Sequence, residues 1–175
     1  MGSQQDQQIT KALAAVQRGD IHAWGPIGQL LSRVERTGYW RRDAQSFTEW
    51  LTTHAPTLGY NESSLWRYLG ASRLYEQLRA RLAGDKIACL PLDQLSVRGG
   101  PENLELLAKL TRAAPPDVVR DLEQRVVMGT VTRTELRNTW LAFRPVLWGQ
   151  TARGRGVRPP HFNPADDQQV QSQLE

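Results

Sequence analysis

A single cysteine, Cys89, is all the thiol chemistry in this 175-residue sequence. It excludes an internal disulfide and a cysteine-based zinc site, and it suits a reducing cytoplasm. Beside Leu90 it reads as a small buried hydrophobe rather than a nucleophile. The histidines, His22, His54 and His161, stand too far apart for metal-ligand spacing. Lysine is scarce: Lys11, Lys86 and Lys109 are the full set, and none has an acid two positions earlier. That removes the acid-x-lysine half of a common nuclease site. No glycine-rich phosphate loop is present. No apolar run reaches about 18 residues and no signal-peptide pattern opens the chain, so neither a membrane span nor export is expected. Period-two alternation is missing as well, which leaves no convincing strand. These absences point away from an enzyme and from any cofactor, and towards an all-α cytoplasmic protein.

Positive charge comes mostly from arginine. Basic residues number 22 against 18 acidic ones, for a net charge of +4. Such a balance favours an acidic partner, although arginine bias also follows from a GC-rich genome. From Leu136 to Ala165 there is no acid, while Arg137, Arg144, Arg153, Arg155 and Arg158 all fall within that stretch. Arg153-Gly-Arg-Gly-Val-Arg-Pro159 resembles a minor-groove arginine hook, with Gly156-Val157 interrupting the usual core. A plain flexible basic linker is the competing reading, and both add salt-dependent attraction to phosphate. Residues 163–173 are polar and linker-like. Leu174-Glu175 matches a cloning junction ahead of a tag, and Met1-Gly2-Ser3 a vector remnant. A further domain beyond this chain is therefore expected.

Punctuation by glycine and proline divides the rest into helices. Gln4 to Arg18 is a polar amphipathic segment closed by Gly19. Pro26 suits a first helical position, and Ile27, Leu30, Leu31 and Val34 follow at helical spacing to Gly38. Leu90 to Leu95 reads as a short turn of helix or a loop. Pro101 opens a helix with Leu104, Leu107 and Leu110 inside, ended by Pro115-Pro116. Asp117 to Met128 buries Val118, Val119, Leu122 and Val126, and Thr132 with Glu135 forms a capping box for a last helix. That helix is expected to pack Leu136, Trp140, Leu141 and Phe143.

The most specific pattern lies between Phe47 and Leu69. Ser46 with Glu49 makes another capping box, Pro56 stops the short helix it starts, and Gly59 can take the positive φ of a sharp turn. Asn61, Ser63 and Ser64 can each cap the next helix, along which Leu65, Leu69, Leu74, Leu78 and Leu82 recur on one face. A short helix, a turn and a longer helix with a polar head is the layout of a helix-turn-helix that reads the major groove. On that reading Asn61, Glu62, Ser63, Ser64, Trp66 and Arg67 face bases, and Arg73 lies further along the same helix. The turn from His54 to Gly59 is longer than is usual for the motif.

The run Gly59–Leu69, GYNESSLWRYL, resembles the helix-turn-helix of ParB/KorB-type partition proteins. Leu58, Gly59, Ser63, Ser64, Leu65, Arg67, Tyr68 and Leu69 fall in step with that family's motif. Asn61 stands where a serine is usual, and Trp66 is atypical. A second echo is Ala114-Pro-Pro-Asp-Val-Val119 followed by Gly129-Thr-Val-Thr132, so the resemblance runs from about Phe47 to Trp140. It implies sequence-specific binding of double-stranded DNA by a regulator or partition-type protein of a plasmid or other mobile element, or by the targeting domain of a larger nuclease. The arginine box of the family's nucleotide-binding domain has no acceptable match here, so nucleotide-dependent clamping does not carry over.

Six tryptophans remain to be placed. Trp50 and Trp140, flanked by leucines, read as core. Trp66 divides between core and base stacking. So does Trp40, in Tyr39-Trp-Arg-Arg42, where Arg41 and Arg42 can meet a DNA backbone or form a solvated helix end. The expected organisation is one helical DNA-binding domain over residues 1–148, with the helix-turn-helix at about 46–82, a second helical subdomain at about 101–148 and a tail over 149–175. Leu104, Leu106, Leu107 and Leu110 cover more of a helix than one buried stripe needs, which offers a homodimer surface or simply more core. The competing function is a helical protein-interaction module that uses the same long helix without DNA.

Overall fold

A computed structural model describes residues 2–85 and 87–145. Among them there are eight α-helices and no strand: α1 (Gly2–Gln17), α2 (Trp24–Thr37), α3 (Phe47–His54), α4 (Glu62–Leu82), α5 (Leu92–Arg98), α6 (Glu102–Leu110), α7 (Pro116–Val127) and α8 (Arg133–Phe143). Single 3-10 turns follow α2 at Tyr39–Arg42 and α4 at Ala83–Asp85. The fold is all-α. No helix among the described residues is long and apolar enough to cross a membrane.

The short helix and the long one start where their caps sit. Ser46 Oγ accepts the Glu49 N–H at 3.1 Å, while the Glu49 carboxylate accepts the Gln45 N–H at 2.9 Å. Helix α3 ends before Pro56, and Gly59 turns the chain at φ +79°. Of the three candidate caps for α4, Asn61 is the one used: its Oδ1 accepts the Ser64 N–H at 2.8 Å.

Helix α4 is the spine of two adjoining cores. Its first half, through Leu65 and Leu69, joins Ile9 of α1, Ile27, Leu31 and Val34 of α2, and Phe47, Trp50 and Leu51 of α3. Its second half, through Ala71, Tyr75, Leu78 and Leu82, joins Trp24 and the leucines of α5, α6, α7 and α8. Helix α4 belongs to both cores, and residues 1–144 make one compact unit. Helices α2 and α4 touch backbone to backbone at Gly28, where a Cβ would lie 2.8 Å from the Ser72 Cβ. A larger residue would force them apart.

Several boundaries differ from expectation. Helix α2 begins at Trp24, so Pro26 is its third residue, still within the first turn where a backbone N–H has no intrahelical acceptor. The segment after Leu90 becomes a helix that continues to Arg98. Helix α7 begins at Pro116 and ends at Val127. Leu141 is 46% exposed, because the stripe set by the buried Leu136 passes through Trp140 and misses the next position. Leu104, Leu107 and Leu110 are fully buried and Leu106 packs partly against the same core, so α6 offers no apolar face for pairing two copies. Glu123 is buried at 3% exposure and is met by Arg81 Nη2 at 2.6 Å, a tie between α7 and α4 that sequence reading missed.

Candidate nucleic-acid interface

The head of α4 presents a polar surface, and most of its side chains already have partners within the chain. Asn61 and Ser63 are exposed, and the Ser63 hydroxyl donates to Asn61 Oδ1 at 2.9 Å. Ser64 is half-buried; its N–H is the one the cap satisfies. Glu62 accepts the Trp66 Nε1–H at 3.0 Å. The Trp66 ring stands edge-on to Phe47, with centroids 5.7 Å apart, and packs partly into the first core. Trp66 thus ties α4 to α3.

Among the described residues, the four candidate arginines Arg41, Arg42, Arg67 and Arg73 each have a neighbour. Arg67 Nε lies 2.9 Å from Glu105 Oε1, and its Nη1 lies 3.8 Å from Glu102 Oε1, so α6 supplies two carboxylates beside the α4 head. Arg73 pairs with Glu35 of α2. Arg42 pairs with Asp6 of α1 and covers the Tyr39 ring at 4.7 Å. The Arg41 guanidinium lies 5.2 Å from the Trp40 ring centroid, and Trp40 donates its Nε1–H to the Glu35 carbonyl at 3.3 Å. Tyr39 and Trp40 both pack partly against the first core, while Arg41 and Arg42 are exposed. Arg153, Arg155 and Arg158 lie outside the described residues.

These contacts leave one continuous exposed face on α4. Ser63, Arg67, Gly70, Arg73 and Gln77 recur at helical spacing, are all exposed, and include no carboxylate. Arg33 and Arg36 of α2, which sequence reading missed, line a groove beside the same face. Their spacing of three on the polar side of α2 was the available signal.

Elsewhere the chemistry is quiet. The Cys89 thiol is half-buried and burial pushes its pKa up, which keeps it from the nucleophilic thiolate form. Tyr75 is buried and donates its hydroxyl to the Leu90 carbonyl; burial raises its pKa as well. Among the described residues no group of His, Cys, Asp and Glu has an arrangement that could hold a metal ion. Comparison with protein-family models, curated proteins and solved structures finds no match to this chain.

Proposed function

We propose that this chain binds double-stranded DNA, with the exposed face of α4 in the major groove. It would act as a sequence-specific regulator or partition-type protein of a plasmid or mobile element, or as the targeting domain of a larger protein. The observation that carries this reading is the exposed row of Ser63, Arg67, Gly70, Arg73 and Gln77 on a capped helix of 21 residues that follows a short helix and a glycine turn. A helix of that bore fits the major groove, and serine, arginine and glutamine are residues that read base edges. The resemblance to ParB/KorB-type proteins adds to it, since the second echo also has its helices: Pro116–Val127, then Thr132 capping Arg133–Phe143.

Arg67→Ala is the direct test. It should cost about 1–3 kcal/mol on a preferred duplex and relax discrimination there. Equal loss on preferred and random duplexes would reassign Arg67 to a phosphate, and no loss would remove the α4 head from the interface. Footprinting the same duplex reads the symmetry of the site. Two half-sites about one helical turn apart would place two copies on it, paired through a surface other than the α6 leucines.

A second reading has its own observation. Arg67, Arg73 and Arg42 all meet carboxylates of the same chain, as braces between helices would. In a helical protein-interaction module these arginines hold the bundle together. The absence of salt-dependent binding to random duplex DNA would favour that module.

A further inference from the structure

Beside the α2–α4 crossing lies a groove of about 440 Å³, lined on α2 by Arg33 and Arg36 and on α4 by Arg73 and Gln77. The charges in it are not equivalent. Arg73 is occupied by Glu35, and Glu76 at the groove wall accepts from Gln29 Nε2 at 3.4 Å. Arg33 and Arg36 are exposed and, among the described residues, have no carboxylate within ion-pair distance. The opposite flank of α4 differs in sign: there Glu102 and Glu105 stand against Arg67.

A helix lying in a major groove has a phosphate strand on each side. With Arg33, Arg36 and Arg73 beside Glu35 and Glu76 on one flank, and Arg67 beside Glu102 and Glu105 on the other, the two strands would meet net charges of opposite sign.

We propose that the α2–α4 groove is a phosphodiester site, in which Arg33 and Arg36 donate to backbone phosphates on one strand of the duplex that α4 reads. The inference rests on the DNA-binding reading and adds to it a backbone contact and an orientation. Guanidinium forks suit phosphate oxygens, and such contacts position a protein on a duplex without choosing its sequence.

The test is the double variant Arg33→Ala/Arg36→Ala of the full chain, with folding checked by circular dichroism. It is titrated with random-sequence duplex and with a duplex selected by the wild type, between 50 and 200 mM salt. Removing two phosphate partners should flatten the log–log salt slope by about 1.8, so wild-type affinity falls about twelvefold more than that of the variant across this range. The preference for the selected duplex should be unchanged, and the pair Arg33→Lys/Arg36→Lys should keep most of the slope. An unchanged slope in the alanine variant, with the wild type still binding and Arg67→Ala still losing preference, would overturn the groove assignment and leave the DNA reading standing. No salt-dependent binding of either duplex by the wild type would end the DNA reading and the groove assignment together.

Discussion

Gly70 stands in the middle of α4, on its exposed face between Arg67 and Arg73, and a Cβ built there would meet no heavy atom within 4 Å. Among the described residues, nothing requires a glycine at this position. In a helix interior it costs about 0.5–1 kcal/mol relative to alanine, through the extra backbone freedom lost on folding. Gly70→Ala should therefore raise stability by that amount, read as a higher urea midpoint with an unchanged slope. If a duplex lies close along α4, the added methyl group should also weaken DNA binding. A variant that gains stability and keeps full affinity would show that no partner backbone approaches this face. A loss of stability would mean that the helix is strained at that point.

Helix ends show how one side chain can serve two elements. Thr132 Oγ1 accepts the Glu135 N–H at 3.2 Å, which completes half of the expected capping box. The Glu135 carboxylate also reaches beyond the cap. It turns to α7, where Arg125 Nη1 lies 2.6 Å away and Asp121 is a second partner of the same guanidinium at 3.4 Å. Bonding to Arg125 holds the Glu135 carboxyl below its ordinary pKa, with the Thr132 backbone N–H adding to the effect. A depressed folded-state pKa means that the fold favours the charged form. The contribution is present above the unfolded value of about 4.3 and is lost as pH falls through the folded value. Wild type should lose more stability than Glu135→Gln between neutral pH and about pH 3, by less than about 1 kcal/mol because the pair is open to water. Urea midpoints at the two pH values measure it. Equal losses in both proteins would mean that the Arg125 pairing contributes nothing in solution.

Among the described residues, the buried hydrophobic side chains lie between Ile9 and Leu136, within the compact unit of residues 1–144. Residues after Leu147 also lack a periodic apolar pattern in sequence. Truncation after Leu147 should therefore leave the far-ultraviolet circular dichroism of the helices intact. It also removes Arg153, Arg155 and Arg158, so on the proposed DNA-binding reading it should weaken binding and lower the salt slope by roughly one unit for each phosphate left without its arginine. An unfolded truncated chain would make the C-terminal segment part of the fold.

Helix positions were legible in the chain because caps and stops act over a few residues. Ser46, Gly59, Asn61, Gly129 and Thr132 each settle a boundary through a bond or a φ value that neighbours alone decide. The buried stripe of α2 and the cores around Trp50 and Leu104 follow from spacing on the same local scale. The partners of the charged and aromatic groups were not legible. Arg42 reaches Asp6 across 36 positions and Arg73 reaches Glu35 across 38, and Trp66 finds Phe47 only once the turn has folded α3 against α4. An arginine at a helix head is the same in sequence whether it is free or faces a carboxylate. Packing of α6 beside α4 brought Glu102 and Glu105 to Arg67, and packing of α2 left Arg33 and Arg36 beside the open face. Those juxtapositions depend on which faces the two cores bury, a property of the whole bundle that no local pattern encodes.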